Sequence, residues 1–377
     1  MNFLAFSSIL TVLTTSTIRV TAQGGPPPPP PRPTIIVTDT TLAGPSTNPI
    51  VIAADDVTLD CAGNTIGIFG PPSFIPGITL DNRSGITIKN CNISNWLFGI
   101  RLEAFSSFIL ENLSINNSVV NGLDANDSSR ILLKGAFSST DNGVFGINMN
   151  QDVSLTMRGA QAILLGNTAG VQIALRSSLV MDAVNQNPPS SLISQDNEFF
   201  GITVTSNSHL FLFGAATVEA RNNGSNGLTV FTKSAVEVDR QGVLICDGNT
   251  LDGIRVEDSS VNLFSINPAT KPTLTSTNNG QAGVSLGKAG IFDTNTDSAT
   301  TITDNGNGGL VVDNNSIATF KLATIKNNAG PQGNVYLSFG SHGDFENNDI
   351  DGDINCDSSF DNEIRGDEGS WCHKVNL

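Results

Sequence analysis

Asn249-Thr250-Leu251-Asp252-Gly253-Ile254-Arg255-Val256-Glu257 decides how this chain is read: an Asn, three residues, a Gly, then a run in which apolar and polar residues alternate. The phrase recurs. Asn stands four residues before Gly at Asn95/Gly99, Asn142/Gly146, Asn197/Gly201, Asn223/Gly227, Asn249/Gly253, Asn279/Gly283 and Asn305/Gly309. Looser copies stand at Asn117/Gly122 and Asn167/Gly170, and Gly77 opens a similar run without the Asn. From Gly77 to Gly309 the glycines are 22, 23, 24, 24, 31, 26, 26, 30 and 26 residues apart. Such a period marks a solenoid, whose units bury their apolar faces only against their neighbours.

The local period gives the unit. After each Gly the apolar residues alternate, as in Ile100 and Leu102, Ile147 and Met149, Ile202 and Val204, or Ile254 and Val256. Alternation belongs to a strand with one buried face. A second strand follows, as in Ser107-Phe108-Ile109-Leu110, and a third often precedes the next Asn, as in Thr217-Val218-Glu219-Ala220. Helical spacing is not sustained after Pro33, and the fixed Leu consensus of a leucine-rich repeat is absent. The chain is therefore expected to be all-β, a coil of about eleven turns and roughly 55 Å at about 4.8 Å per turn. Asn at the corners has two reasons: it tolerates the left-handed conformation, and stacked amides can hydrogen-bond along the axis.

The Gly-Ile-x-Val strands, the Asn corners and Asp55-Asp56-Val57-Thr58-Leu59-Asp60-Cys61-Ala62-Gly63-Asn64-Thr65-Ile66 resemble the pectate-lyase-like superfamily over about residues 34–350. The resemblance implies a right-handed parallel β-helix with three parallel sheets. It leaves activity open, because this architecture hosts lyases, hydrolases, epimerases and non-enzymatic surface proteins. Asn295-Thr296-Asp297 matches the first motif of polygalacturonase-like proteins, but no Asp-Asp pair, Gly-His-Gly or Arg-Ile-Lys follows it.

Four segments are expected. Residues 1–22 resemble a secretory signal, with Phe3-Leu4-Ala5-Phe6, Ile9-Leu10-Thr11-Val12-Leu13 and a small-residue cleavage site at Val20-Thr21-Ala22. Residues 23–33 hold six consecutive prolines, Pro26 to Pro31, and read as an extended linker. Residues 34–349 form the coil, with inserted loops around Pro188 and Pro268; residues 350–377 read as a C-terminal cap. No segment is apolar and long enough to span a bilayer as a helix. A secreted, extracellular protein is expected.

The net charge of −16 opposes nucleic-acid binding and favours no anionic polysaccharide unless Ca²⁺ mediates. Cys61 and Cys91 occupy equivalent places in successive units and are expected to pair, as are Cys356 and Cys372; Cys246 is left as a buried thiol. Seven N-glycosylation sequons begin at Asn82, Asn92, Asn112, Asn116, Asn126, Asn223 and Asn314; Asn92 and Asn223 lie at or near ladder corners, where they would be unavailable.

Residues between the apolar ones should face outward, so stacking brings Asp81, Arg101, Glu103, Asp124, Asn126, Asn148 and Asn150 into adjacent rows. Glycoside hydrolysis needs two carboxylates about 5 Å apart, or somewhat further for inversion, and Glu103 and Asp124 are the candidates. A lyase needs a basic group, here Arg101, with carboxylates holding Ca²⁺; no other cofactor is expected. Asp81, Asn148 and Asn150 would bind substrate. The same charges also stabilise neighbouring strands with no function at all. Arg255 and Glu257, near Thr229 and Phe231, read as an isolated ion pair, and His209, His342 and His373 as structural or solvated. Two readings result: an enzyme, lyase or hydrolase, acting on an extracellular polysaccharide, or a non-catalytic surface or matrix protein presenting a repetitive binding face.

Overall fold

Each Gly-led run becomes a strand of the expected kind. In Ile100–Glu103 the apolar Ile100 and Leu102 are buried, and Arg101 and Glu103 are half-buried on the opposite face. The computed structural model describes residues 31–70, 72–265, 270–294, 298–352, 354–357, 362–366 and 373–375, and among these there is no helix. The expected signal and most of the proline tract lie outside the described residues, as do Asn295-Thr296-Asp297.

The Gly-led strands stack in parallel as a 15-stranded sheet, here sheet A, from Thr34–Ile36 to His373–Val375. Two more parallel columns complete each turn: sheet B follows sheet A in the chain, and sheet C leads back to the next Gly. Around residues 86–140 one long strand supplies both, bending at Asn90, Asn112 or Gly135, each with positive φ. Later turns split it, as in His209–Gly214 on sheet B and Thr217–Arg221 on sheet C. The coil has about twelve turns, in line with the expected eleven or so. One apolar column fills it, including a stack of Phe292, Phe320 and Phe345 with centroids 5.1 and 6.4 Å apart. Burying each such side chain contributes about 1.5–3 kcal/mol.

The Asn ladder forms at the corner between sheets C and A. Asn142, Asn167, Asn197, Asn223, Asn249, Asn279, Asn305, Asn328 and Asn334 each donate Nδ2–H to the next member's Oδ1, at 2.8–3.3 Å, up to Asn334. The same Oδ1 also accepts the previous member's backbone N–H, as Asn279 Oδ1 does from Asn249. Two details differ from expectation. Asn95 and Asn117 stand one place early: Trp96 and Ser118 hold the corner in those turns, and Ser118 N–H donates to Asn142 Oδ1. The left-handed residue is not the ladder Asn but the one before it: Asp141, Gly166, Asp196, Asn222, Gly248, Asn278, Asp304 and Asn327 all have positive φ.

The Gly of the motif has a steric cause. A Cβ on Gly253 would lie 2.7 Å from Asn279 Nδ2 and 2.7 Å from the Gly283 carbonyl oxygen. The offset of four therefore couples two turns: the Gly of one makes room for the ladder amide of the next. At the corner between sheets A and B serines do a similar job, with Ser177, Ser208, Ser234 and Ser259 hydroxyls accepting backbone N–H groups of the preceding turn.

Cys61 and Cys91 are bridged across neighbouring turns, with Cα atoms 4.9 Å apart. The expected partner of Cys356, Cys372, lies outside the described residues. Cys246 is a buried free thiol, and burial pushes its pKa far up. The segment read as a cap carries strands of its own: Ile354–Asp357 and His373–Val375 extend sheet A, and Glu363–Gly366 extends sheet B. The inserted loop of residues 184–190 sits at the corner between sheets B and C, away from sheet A, and the one around Pro268 falls between Ser260–Phe264 and Thr273–Thr277, with residues 266–269 outside the described residues. Of the two sequons placed near the ladder, Asn223 is fully buried within it, whereas Asn92 is exposed.

Candidate functional site on sheet A

Pleating and register put one outward side chain per turn into a single row: Thr79, Arg101, Asp124, Asn148, Gln172, Thr203, Thr229, Arg255 and Ser285. Val311 and Tyr336 end it. A flanking row pairs Asp81 with Glu103 and Asn126 with Asn150.

Arg101, Glu103, Asp124 and Asn148 do meet. Arg101 Nε is 2.6 Å from Glu103 Oε1 and 3.9 Å from Asp124 Oδ2, and its guanidinium carbon lies 4.9 Å from the centre of the Phe98 ring. Asp124 is 5% exposed and ringed by amides. Its Oδ1 accepts from Asn121 at 2.7 Å and Asn148 at 2.8 Å, and its Oδ2 from Asn126 at 3.0 Å. Asn121 was not foreseen; it is the residue just before Gly122, and its own Oδ1 accepts the Phe145 N–H. Asp81 is exposed beside Glu103, and Asn150 is half-buried beside Asn126. This is a stiff, charge-balanced platform of hydrogen-bonding groups. Three amide donors already hold the Asp124 carboxylate, which suits it to fixing its neighbours in place. Among the described residues no group of three or more His, Cys, Asp or Glu is placed to hold a metal ion.

A second cluster lies five strands along the same sheet. Glu257 Oε1 accepts from Arg255 Nε and Nη2 at 2.9 and 2.6 Å, and its Oε2 from Lys288 Nζ at 2.7 Å. Burial opposes the charge on Glu257, but Lys288 and Arg255 outweigh it and hold the carboxyl below the usual range. Arg255 and Glu257 are therefore not an isolated pair. Asp252, 3% exposed, adds to them: its Oδ2 is 3.8 Å from Arg255 Nη1 and its Oδ1 accepts the Ala282 N–H at 3.0 Å. Burial pushes the Asp252 carboxyl up to about 6; the Ala282 bond and Arg255 offset only part of that. Nothing in the sequence separated Asp252 from the turn residues around it.

No protein-family model and no curated protein matches the chain. Solved structures do resemble it, two of them as follows. The A-module of the Azotobacter vinelandii mannuronan C-5 epimerase AlgE6 is 11% identical, with a TM-score of 0.50 over 90% of this chain and 89% of that one. The catalytic domain of a GH87 α-1,3-glucanase is 12% identical, with a TM-score of 0.32 over 89% of this chain and 60% of that one. Identities this low speak to fold alone. No helix among the described residues is long and apolar enough to cross a membrane. The epimerase module shares the coil, and the chain is a right-handed parallel β-helix.

Proposed function

We propose that this is a secreted protein that binds an extracellular polysaccharide along the outer face of sheet A. The observation that carries the reading is the polar row from Thr79 to Ser285, one side chain per turn, in which Thr79, Arg101, Asn148, Gln172, Arg255 and Ser285 are half-buried and reach solvent while Asp124, Thr203 and Thr229 are buried between them. At about 4.8 Å per turn the row is roughly 40 Å long, and its step is of the order of one sugar unit in an extended chain. Amides, hydroxyls and paired charges repeated at that step suit a polymer whose hydroxyls repeat likewise. Arg101, Glu103 and Asn148 make the densest contact, with Asp124 holding them in place and Asp81 and Asn150 at the margin.

Binding is favoured over hydrolysis or elimination at this patch, because Glu103 is paired with Arg101 and Asp124 is held by three amides. The test is affinity electrophoresis against a polysaccharide panel. Arg101→Ala, Glu103→Gln and Asn148→Ala should each weaken the bound polymer about tenfold, which corresponds to ~1.4 kcal/mol. Wild-type affinity in all three variants would move the surface elsewhere.

One observation favours an enzymatic second reading, in which the centre is Asp252. A buried carboxyl that keeps its proton to about pH 6 beside Arg255 suits general acid–base work. Reducing ends or unsaturated products made by the wild type and abolished by Asp252→Asn would support it.

A further inference from the structure

The outer face of sheet B carries a different chemistry. On His209–Gly214 the outward residues are His209, Phe211 and Phe213. Their rings lie within 7° and 11° of parallel, with centroids 5.5 and 5.9 Å apart. The flanking strands put small or polar residues at the neighbouring positions: Ser178, Val180 and Asp182 on one side, Ala235 and Glu237 on the other. Leu212 pairs with Val238, so Asp239 comes next to Phe213, and Asp239 pairs in turn with Phe264 one strand further. Asp239 thus stands between two phenyl rings.

Aromatic neighbours on a sheet can simply stabilise it. Two polar atoms argue for more. Asp239 is 5% exposed, yet its Oδ1 is buried without a hydrogen-bond partner, and its Oδ2 has only the Arg240 Nε at 3.4 Å. At the other end of the strip, His209 Nδ1 is also buried without a partner. Buried polar atoms are nearly always satisfied, so these two mark hydrogen-bonding capacity on this face that the chain itself does not use and that a turn of either side chain would present to a ligand. The inserted loop 184–190 adjoins this end of the strip: a Cβ on Gly214, next to Phe213, would lie 3.0 Å from the Val184 nitrogen.

We propose that this face is a second carbohydrate site, which takes a neutral polysaccharide chain. Phe211 and Phe213 receive the C–H faces of sugar rings, whose partial positive charge suits the negative faces of the aromatics. Asp239 Oδ1 accepts a hydroxyl proton, and His209 Nδ1 pairs with a second hydroxyl. The charge around the strip selects a neutral chain. Arg158 offsets Asp182 at 3.3 Å and Arg240 offsets Asp239 at 3.4 Å, and Glu237 stands beside Phe211, so the charge next to the rings does not draw an anionic polymer. This site is independent of the row on sheet A.

The test is native affinity electrophoresis of the full chain in gels containing xyloglucan, glucomannan or mixed-linkage β-glucan, with polygalacturonate as the anionic control and polylysine as a cationic competitor. A triple variant, Arg101→Ala, Glu103→Gln and Asn148→Ala, disables sheet A. In that background a neutral polymer should still retard the protein. Adding Phe211→Ala or Phe213→Ala should raise the apparent Kd at least tenfold, and Asp239→Asn several-fold, whereas Phe211→Tyr should retain binding. Thermal unfolding of each variant keeps lost binding separate from lost structure. Retardation that vanishes with the sheet A triple, or survives both Phe→Ala changes, overturns the sheet B site and leaves sheet A standing. Retardation by polygalacturonate alone, or displacement by polylysine, overturns the neutral-chain assignment.

Discussion

Asp124 and Asp252 occupy the same sheet five strands apart, and both are all but hidden from water, yet their surroundings are opposite. Asp124 is held by three side-chain amides, from Asn121, Asn126 and Asn148. Asp252 has one backbone N–H and a guanidinium at 3.8 Å, and burial dominates. Donors stabilise a carboxylate where it stands, while burial without enough donors favours the neutral acid. The corner row makes the point sharper. Asn121 and Asn226 stand just before Gly122 and Gly227, and each accepts the next turn's N–H, from Phe145 and from Asp252. The fold needs only an acceptor there. Asp252 supplies one, and adds a proton that the fold does not require.

The contrast can be broken in four ways. Asp124→Ala leaves the buried amide of Asn121 and the half-buried amides of Asn126 and Asn148 without this acceptor and should cost about 4 kcal/mol, read as a lower urea midpoint with an unchanged slope; a cost below 1 kcal/mol would mean the amides have other partners. Asp252→Asn should do the reverse. A folded pKa raised from 3.8 to about 6 means that the stabilisation is complete below the unfolded pKa and is lost as pH rises through about 6. The Asn variant should therefore match wild type near pH 4 and exceed it by about 3 kcal/mol at pH 8. A constant difference across pH would show that Asp252 is not the titrating group. Asn249→Ala, three residues earlier but in the ladder, should cost about 2 kcal/mol at every pH, which isolates titration from general loosening. Asn148→Ala removes one of the three donors to Asp124 and should cost about 1 kcal/mol. If it matched the loss in Asp124→Ala, the three amides would act as a single unit.

Much of the fold was legible because the repeat is a steric device. A glycine that admits the next turn's amide must recur with it, so Asn249 and Gly253 carry the architecture in their spacing. Alternation then placed Arg101, Glu103, Asp124 and Asn148 on one face, and like positions in successive units paired Cys61 with Cys91. What escaped depends on contacts that no single unit contains. Asp252 looks like any turn residue until the neighbouring turns bury it. The left-handed conformation was assigned to the ladder Asn although a mixed set of Asp, Asn and Gly just before it takes that role. The strip on sheet B did leave a trace, His209-x-Phe211-x-Phe213 at strand spacing. A histidine read alone says little; only its spacing from the two phenylalanines marks a strip.

The ladder also has a direction. Each member's backbone N–H and one amide proton go to the Oδ1 of the member that follows, while the other amide proton returns to a carbonyl of the turn before, as from Asn223 to Ser194 and from Asn249 to Ala220; the run begins at Ser118 N–H and ends where Asn334 donates to the Asp351 carbonyl. A turn that has just left the ribosome therefore holds unmet donors until its successor is made. Each new turn completes the one before it and exposes the same need again. A chain released early would end on a turn whose ladder amide still lacks its acceptor, which gives a quality-control system something specific to detect.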